Sequence, residues 1–217
     1  MGSKGSSRAA RPGRISLTRE RVLDAALELI DRDGLEGLSM RKLGGELGVE
    51  AMSLYNHVTD KDDVLDGVVS LLWREVETRA ASAGDWAQQA RSFAIAVRHT
   101  AHAHPHAYPL VLTRGVLPEE LQRVGSRLVA SLREAGFEEL APQAMLALAS
   151  HATSQALAEV SWYGARAAQR APGAVADWPP VVGVEQELPR YEADAPLAFG
   201  LELLIEALEA RLAQRTT

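Results

Sequence analysis

The chain has 217 residues, of which 47% are hydrophobic, 24% charged and 5% aromatic, and its formal net charge is −6. This composition fits a globular protein of one large or two small domains, and a core poor in aromatic residues favours helices over sheets. The lack of cysteine excludes disulfides, thiolate metal sites and a thiol nucleophile. Because no segment fits a membrane span or a secretory signal, we expect a cytoplasmic protein without a membrane partner.

The positive charge is concentrated at the N-terminus. Residues 1–17 carry four basic side chains and no acid, and the basic residues are Lys4, Arg8, Arg11 and Arg14. A flexible basic arm on an acidic body is compatible with DNA binding, because the local field matters more than the total charge. A disordered tail without function is the alternative reading of the same residues.

Apolar spacing and capping residues predict helices throughout the chain. In the first third, helices are predicted between Thr18 and Gly34, over Met40–Leu47 and Glu50–His57, and from Asp60 to about Ala83. Further helices are predicted over Trp86–Ala103, Glu119–Ala135, Pro142 to about Arg170, and Leu197–Leu212. Prolines break the pattern at 105 and 109, and residues 171–196 are predicted to form a long irregular connection. No alternating strand pattern occurs, so the predicted fold is all-α.

The stretch from Ser39 to His57 consists of two short helices separated by a glycine turn at Gly48. Helices this short must pack on the preceding long helix to be stable, and such a cluster has the layout of a helix-turn-helix. Leu43, Leu47 and Leu54 are predicted to fill its interior. The hydrogen-bond donors available outside it are Arg41, Lys42, Ser53, Tyr55, His57 and Lys61, all suited to phosphate contacts.

Over residues 18–67 the sequence resembles the tetracycline-repressor (TetR) family. The resemblance is carried by Ala25-Ala26-Leu27-Glu28-Leu29-Ile30, Gly34, Ser39-Met40-Arg41-Lys42-Leu43, Gly48-Val49-Glu50-Ala51-Met52-Ser53-Leu54-Tyr55-Asn56-His57-Val58, Lys61 and Val64-Leu65. It implies a flexible arm over residues 1–17, a three-helix DNA-binding domain over residues 18–66, and a helical effector-binding and dimerisation domain over residues 67–217, joined by a long helix. The implied function is a ligand-responsive repressor that binds a palindromic operator in double-stranded DNA as a homodimer.

The resemblance also implies roles for individual residues. Arg41 matches a position that contacts DNA from the second helix. The remaining matches are Ala51, Met52 and Ser53 at base edges, and Tyr55, His57 and Lys61 at phosphates. Met52 departs from the small residue or proline common at its position, and Asn56 from the usual aromatic residue, so the base preference cannot be inferred.

For the effector, the C-terminal half offers an apolar composition with a few aromatic and imidazole groups, which predicts a mainly apolar small molecule. The candidate contacts are His102, Tyr108, His151, Trp162 and Tyr163. Tetracycline-binding members of the family place a magnesium-ligating histidine just before a Thr-Arg pair. If Thr113-Arg114 is that pair, Leu110 occupies the ligand position and cannot coordinate a hard cation, although His106 could substitute after a shift of one helical turn.

A histidine cluster supports an alternative function, a small helical metal-binding protein or enzyme. The cluster consists of His99, His102, His104 and His106. Pro105 interrupts the helix and no carboxylate is expected nearby, so a polar helix end is the favoured interpretation and no metal or cofactor is predicted. The phosphate-binding, dinucleotide, nucleophile-elbow and zinc-protease motifs are missing, and we predict no catalytic residue. An interaction module with a vestigial helix-turn-helix is a further alternative.

Overall fold

A computed structural model describes residues 16–169 and 195–215, with side chains over 16–161 and 197–214. These ranges contain nine α-helices and no strand, which agrees with the predicted all-α class. They are α1 (Arg19–Asp33), α2 (Met40–Glu46), α3 (Ala51–Leu54), α4 (Lys61–Arg79), α5 (Trp86–Ala103), α6 (Leu110–Thr113), α7 (Glu119–Glu134), α8 (Ala141–Gln169) and α9 (Ala195–Arg215). Within the same ranges, no helix combines the length and apolarity that a membrane crossing requires. The predicted arm and most of the predicted 171–196 connection lie outside the described residues.

Helix boundaries in the first third follow the caps that the sequence provides. Side-chain oxygens of Thr18, Ser39 and Asp60 each accept a hydrogen bond from a backbone N–H in the first turn of the following helix, at 3.3, 3.3 and 2.8 Å. These bonds satisfy donors that the helix itself leaves unpaired. At the other end of α1, Gly34 adopts φ +76°, which stops the helix.

Helix α3 is shorter than predicted. The sequence pattern predicts a helix over Glu50–His57, whereas the structure ends it at Leu54 and continues with a turn. Asn56 donates from Nδ2 to the carbonyl of Ser53 at 3.3 Å, and the N–H of His57 bonds the carbonyl only three residues back. These local bonds compete with helical pairing and close the turn.

Two further boundaries differ from prediction. Helix α4 ends at Arg79 and not near Ala83, because the N–H of Ala81 donates to the hydroxyl of Ser92 in α5 at 2.7 Å. Helix α6 was not predicted at all. It is a single turn that follows Pro109 directly, too short for a periodic pattern to reveal.

Helix α4 connects the two parts of the fold. Its first half packs on α1, where Gly67 approaches Leu23 so closely that a Cβ would lie 2.3 Å from the leucine tip. Its second half packs on α5, where Trp73 stacks on Phe93 with ring centroids 6.3 Å apart. Helix α5 in turn packs on α8, and α8 on α9. The predicted domain boundary at residue 66 therefore falls inside one continuous helix.

Candidate nucleic-acid interface

The turn between α2 and α3 depends on two glycines. Gly48 adopts φ +66°, a left-handed conformation that glycine adopts readily because it has no Cβ. Gly44 accepts a hydrogen bond from the N–H of Val49 at 2.9 Å, and a Cβ on Gly44 would lie 2.9 Å from the Val49 carbonyl oxygen and 3.1 Å from the nitrogen of Ala51. Helix α3 can therefore lie this close to α2 only when residue 44 lacks a side chain. The arrangement is a helix-turn-helix.

The seven residues predicted to contact DNA lie on consecutive elements: the start of α2, α3, the turn after it and the start of α4. Arg41, Met52, Tyr55 and Lys61 are exposed, and Ala51, Ser53 and His57 are half-buried. Leu54, in the same segment, is fully buried, as predicted. Met52 is 73% exposed, more than any other large apolar side chain described. The structure thus gives all seven residues access to a partner.

Three of the acidic side chains close to this surface are paired with arginines, whereas Glu50, directly before α3, is exposed and forms no ion pair among the described residues. The pairs are Glu46 with Arg32 at 2.6 Å, Asp62 with Arg114 at 2.9 Å, and Asp63 with Arg19 at 2.5 Å. Within the described chain, Arg41 and Lys61 form no ion pair. The local field at this surface is consequently more positive than the net charge of −6 suggests.

The sequence analysis did not identify Arg19 and Asp63, which position the turn after α3. Arg19 donates to both carboxylate oxygens of Asp63 and, at 3.1 Å, to the carbonyl of His57. The hydrogen bonds from Arg19 lower the pKa of Asp63 to about 2. A signal for this pair was present, since a cation in the first turn of a helix opposes the helix dipole and calls for an acidic partner.

In the larger, C-terminal part, Tyr108 is buried in the core. Its hydroxyl donates to the carbonyl of Thr153 at 3.4 Å, and burial raises the pKa of the phenol. Tyr108 lines a small space between α4, α5 and α6, together with Leu72, Trp73, Val76, Val97, Thr100 and Val111. The Thr100 hydroxyl is buried there without a hydrogen-bond partner among the described residues.

Two of the other predicted effector contacts, His102 and His151, do not line this space. His102 bonds Glu159 on α8 at 2.9 Å, and His151 bonds the carbonyl of Leu197 on α9 at 3.2 Å. Trp162 and Tyr163 belong to α8, but their side chains lie outside the described residues.

The expectation that no carboxylate lies near the histidine cluster is wrong. Glu159 contacts His102, and His104 lies between Asp31 and Glu75. These acids come from helices distant in sequence, so local spacing could not reveal them. Among the residues described, no three histidine or acidic side chains are grouped to hold a metal ion.

Comparison with known proteins agrees with this geometry. The family profile "Bacterial regulatory proteins, tetR family" matches residues 22–68. An HTH-type transcriptional regulator of Saccharopolyspora erythraea is 40% identical over 122 residues, or 56% of this chain, and the chain spans about half (51%) of that relative. The tetracycline repressor protein class D of Escherichia coli is 31% identical over 201 residues, covering 90% of this chain and 91% of the repressor.

Solved structures show the same likeness over the whole fold. Apo ActR from Streptomyces coelicolor superposes with a TM-score of 0.72 at 28% identity, covering 92% of this chain and 98% of ActR. TetR from Acinetobacter baumannii AYE superposes with a TM-score of 0.72 at 26% identity, covering 90% of this chain and 98% of the TetR chain. The resemblance noted in the N-terminal sequence therefore extends across nearly the entire chain, which belongs to the tetR family of bacterial regulatory proteins.

Proposed function

We propose that this transcriptional regulator is a repressor that binds a palindromic operator as a homodimer and is released by a small organic effector. The observation that carries the proposal is the glycine turn at Gly44 and Gly48, which seats α3 against α2 and leaves Met52 and Tyr55 exposed. Operator binding implies a cytoplasmic location and requires no catalytic residue or cofactor. The proposed units are the arm (1–17), the DNA-binding domain (18–66) and the regulatory and dimerisation domain (67–217).

On DNA, α3 supplies the base contacts. Ala51 and Met52 are suited to a thymine methyl group, and Ser53 can donate to or accept from several bases. The phosphate contacts come from side chains around α3, namely Arg41, Tyr55, His57 and Lys61. None of the base-facing residues forms a bidentate pair, so specificity is spread over several modest contacts and the shape of the DNA.

Selection of duplexes from a random pool with the full chain tests this proposal. We expect enrichment of an inverted repeat, because each subunit of a symmetric dimer presents one α3 to one half-site. Ser53→Ala should change the preferred base at particular positions, at a cost of about 1–3 kcal/mol for each lost contact. Failure to enrich any sequence would contradict the proposal.

The dimer interface is proposed on α8 and α9. Leu146 on α8 and Phe199 and Leu203 on α9 are exposed by 61%, 69% and 50% in the single chain. Large apolar side chains that are exposed on two neighbouring helices favour association with a second copy. A two-fold axis through these helices would produce a four-helix bundle.

The proposed effector is mainly apolar, and it is not a tetracycline–magnesium chelate. Leu110 is buried with 4% exposure at the start of α6 and carries no atom that could ligate a metal. His106 is exposed, its Nδ1 bonds the backbone carbonyl of Asp31 on α1, and among the described residues it belongs to no group of side chains that could hold a metal ion. A relative named as a tetracycline repressor makes the opposite expectation reasonable, whereas ActR has been solved with actinorhodin. Calorimetric titration with tetracycline, with and without magnesium, distinguishes a tetracycline–magnesium effector from an apolar one. Magnesium-dependent micromolar binding would refute our proposal.

Arg114 is proposed to couple the effector to DNA. It lies at the end of α6 and donates to Asp66 and, at 2.9 Å, to Asp62 in the first turns of α4. A ligand that displaces α6 would therefore move the helix that begins at the DNA surface. An effector releases DNA only if it binds the two conformations with different affinities. We expect Arg114→Ala to bind the selected operator but to lose most of the release caused by an effector found in a compound screen.

A further inference from the structure

The end of α5 is tied to two other helices by one histidine. His104 Nδ1 lies 2.6 Å from Oδ2 of Asp31 in the last turns of α1, and His104 Nε2 lies 3.0 Å from Oε2 of Glu75 in α4. The side chains of His104, Asp31 and Glu75 are only 20–26% exposed. Two residues on, His106 Nδ1 lies 3.0 Å from the backbone carbonyl of Asp31. The connection between α5 and α6 therefore holds the C-terminal end of α1.

The geometry around His104 suits one protonation state of the ring. A neutral imidazole donates from one nitrogen and presents a lone pair at the other, whereas the imidazolium donates from both. Both nitrogens of His104 face carboxylate oxygens, so a neutral ring places a lone pair against one of the two acids. The imidazolium makes two charge-assisted hydrogen bonds instead.

No other charged group described around the ring donates a hydrogen bond to the two carboxylate oxygens that face His104. Glu75 accepts from Arg79 at 3.0 and 2.8 Å, but on Oε1, which leaves Oε2 to His104. Oδ1 of Asp31 is buried without a hydrogen-bond partner among the described residues. His106 bonds the backbone carbonyl of Asp31 and, among the described residues, forms no ion pair. The stability of this contact thus depends on the proton that His104 carries.

We propose that His104 is a pH-responsive clamp that fixes the DNA-binding domain relative to the regulatory domain. In the protonated state it holds α1 and α4 to the end of α5. Loss of a proton releases one of the two bonds, so the end of α5 keeps its histidine contact with only one of α1 and α4. By holding α1, His104 positions the DNA-binding domain and is therefore a positioning residue for DNA binding. This role in DNA binding rests on the proposed function, whereas the pH-dependent contact itself does not.

Thermal unfolding of the full chain at about pH 5.5 and about pH 8, on either side of the range in which histidine titrates, tests the clamp. We expect His104→Gln to lower the melting temperature by about 3 °C more at the lower pH than at the higher. His99→Gln, which alters an exposed histidine of the same helix, is the matched control and should show no such difference. An equal loss at both pH values, or the same pH dependence in His99→Gln, would overturn the proposal.

A second variant tests the clamp from the other side of the contact. In an Asp31→Asn background only the Glu75 carboxylate remains, and the new amide can donate to Nδ1 while Nε2–H donates to Glu75. A neutral ring then satisfies both contacts, so the further His104→Gln change should lose most of its pH dependence. If the pH dependence in that background equals that in the wild type, the contact with Asp31 is not responsible.

Binding to the selected operator tests the positioning role. The affinity ratio of wild type to His104→Gln should change by about fivefold or more between the two pH values, and a constant ratio would contradict positioning. The melting experiment needs no DNA. A chain that binds no duplex but melts as expected would therefore disprove the proposed function and leave the clamp intact.

Discussion

Arg19, in the first turn of α1, donates two hydrogen bonds to Asp63, in the first turn of α4, at 2.9 and 2.5 Å. The same carboxylate accepts from the backbone N–H of Thr59 at 2.8 Å, and Arg19 also holds the carbonyl of His57. The pair therefore joins the start of two helices and the turn between α3 and α4. Two of the side chains proposed to contact phosphates, Tyr55 and His57, extend from this turn.

Replacing Asp63 should weaken both stability and DNA binding. Asp63→Asn keeps the shape of the side chain but removes the charge that Arg19 pairs with. Both partners are partly exposed, so we expect a loss of about 1 kcal/mol, at the upper end for solvent-screened pairs. Urea unfolding at about pH 7 measures the change, and Asp24→Asn, on the exposed face of α1, is the control. A loss as large in Asp24→Asn would argue against the specific pair.

The same pair predicts a pH dependence with a definite sign. Because Arg19 lowers the pKa of Asp63 to about 2 in the folded protein, the pair contributes its full stability above the ordinary carboxylate pKa of about 4. That contribution is lost as the pH falls towards about 2. Unfolding midpoints of wild type and Asp63→Asn should differ by a constant amount between about pH 8 and pH 5 and converge below about pH 4. A difference that grows with acidity would contradict the assignment.

Two adjacent glycines of α2 should respond oppositely to alanine. Gly44→Ala places a Cβ 2.9 Å from the backbone oxygen of Val49, and because backbone cannot rotate away, we expect a loss of about 1–3 kcal/mol together with weaker DNA binding. At Gly45 no atom lies within 4 Å of the new Cβ, so Gly45→Ala should stabilise the helix by about 0.5–1 kcal/mol. Chemical unfolding of both variants checks this. Equal effects would mean that α3 does not lie against α2 as described.

Lys61 should contribute to DNA affinity without contributing to specificity. Because it is exposed at the first residue of α4 and forms no ion pair among the described residues, a phosphate is its natural partner. Lys61→Ala should weaken selected and unrelated duplexes equally and reduce the slope of log affinity against log salt by about one unit. Fluorescence anisotropy at several salt concentrations measures the slope, and Arg127→Ala on α7 is the control. An unchanged slope would place Lys61 away from the DNA.

The assembly should depend on the exposed apolar residues of α9. Phe199→Glu introduces a charge where the proposed interface buries a ring, so the variant should be a monomer by light scattering at micromolar concentration while the wild type is a dimer. Leu117→Glu changes a side chain of similar exposure, 72% against 69%, in the connection before α7 and should stay dimeric. A monomeric wild type would remove the reason to expect a palindromic operator.

The features that could be predicted from sequence were those set by neighbouring residues. Thr18, Ser39 and Asp60 mark helix starts because a cap acts within one turn, and a glycine stop such as Gly34 is equally local. The end of α3 was predicted wrongly because the Asn56 side chain bonds a backbone carbonyl that a longer helix would use. A pattern of apolar residues does not reveal such a bond. Within the candidate site, Arg41, Met52, Tyr55 and Lys61 are exposed and Leu54 is buried, whereas the DNA contacts themselves stay predictions.

Contacts between distant residues could not be predicted in the same way. His104 and Asp31 are 73 residues apart, and Arg114 and Asp66 are 48 apart. Which charged side chains meet depends on how whole helices cross, and the crossing is set by close approaches such as that of Gly67 and Leu23. A charged residue in the sequence shows that a partner is needed, but the fold decides which partner it meets.

The close approach of Gly67 to Leu23 also limits how parts of this protein can be exchanged with those of its relatives. A hybrid regulator joined at residue 66 would take Leu23 from this protein and residue 67 from the relative. If the second parent carries any side chain at that position, the leucine tip must move, because the added Cβ would lie 2.3 Å from it. A successful graft should therefore keep both residues from the same parent, with its junction beyond the part of α4 that crosses α1.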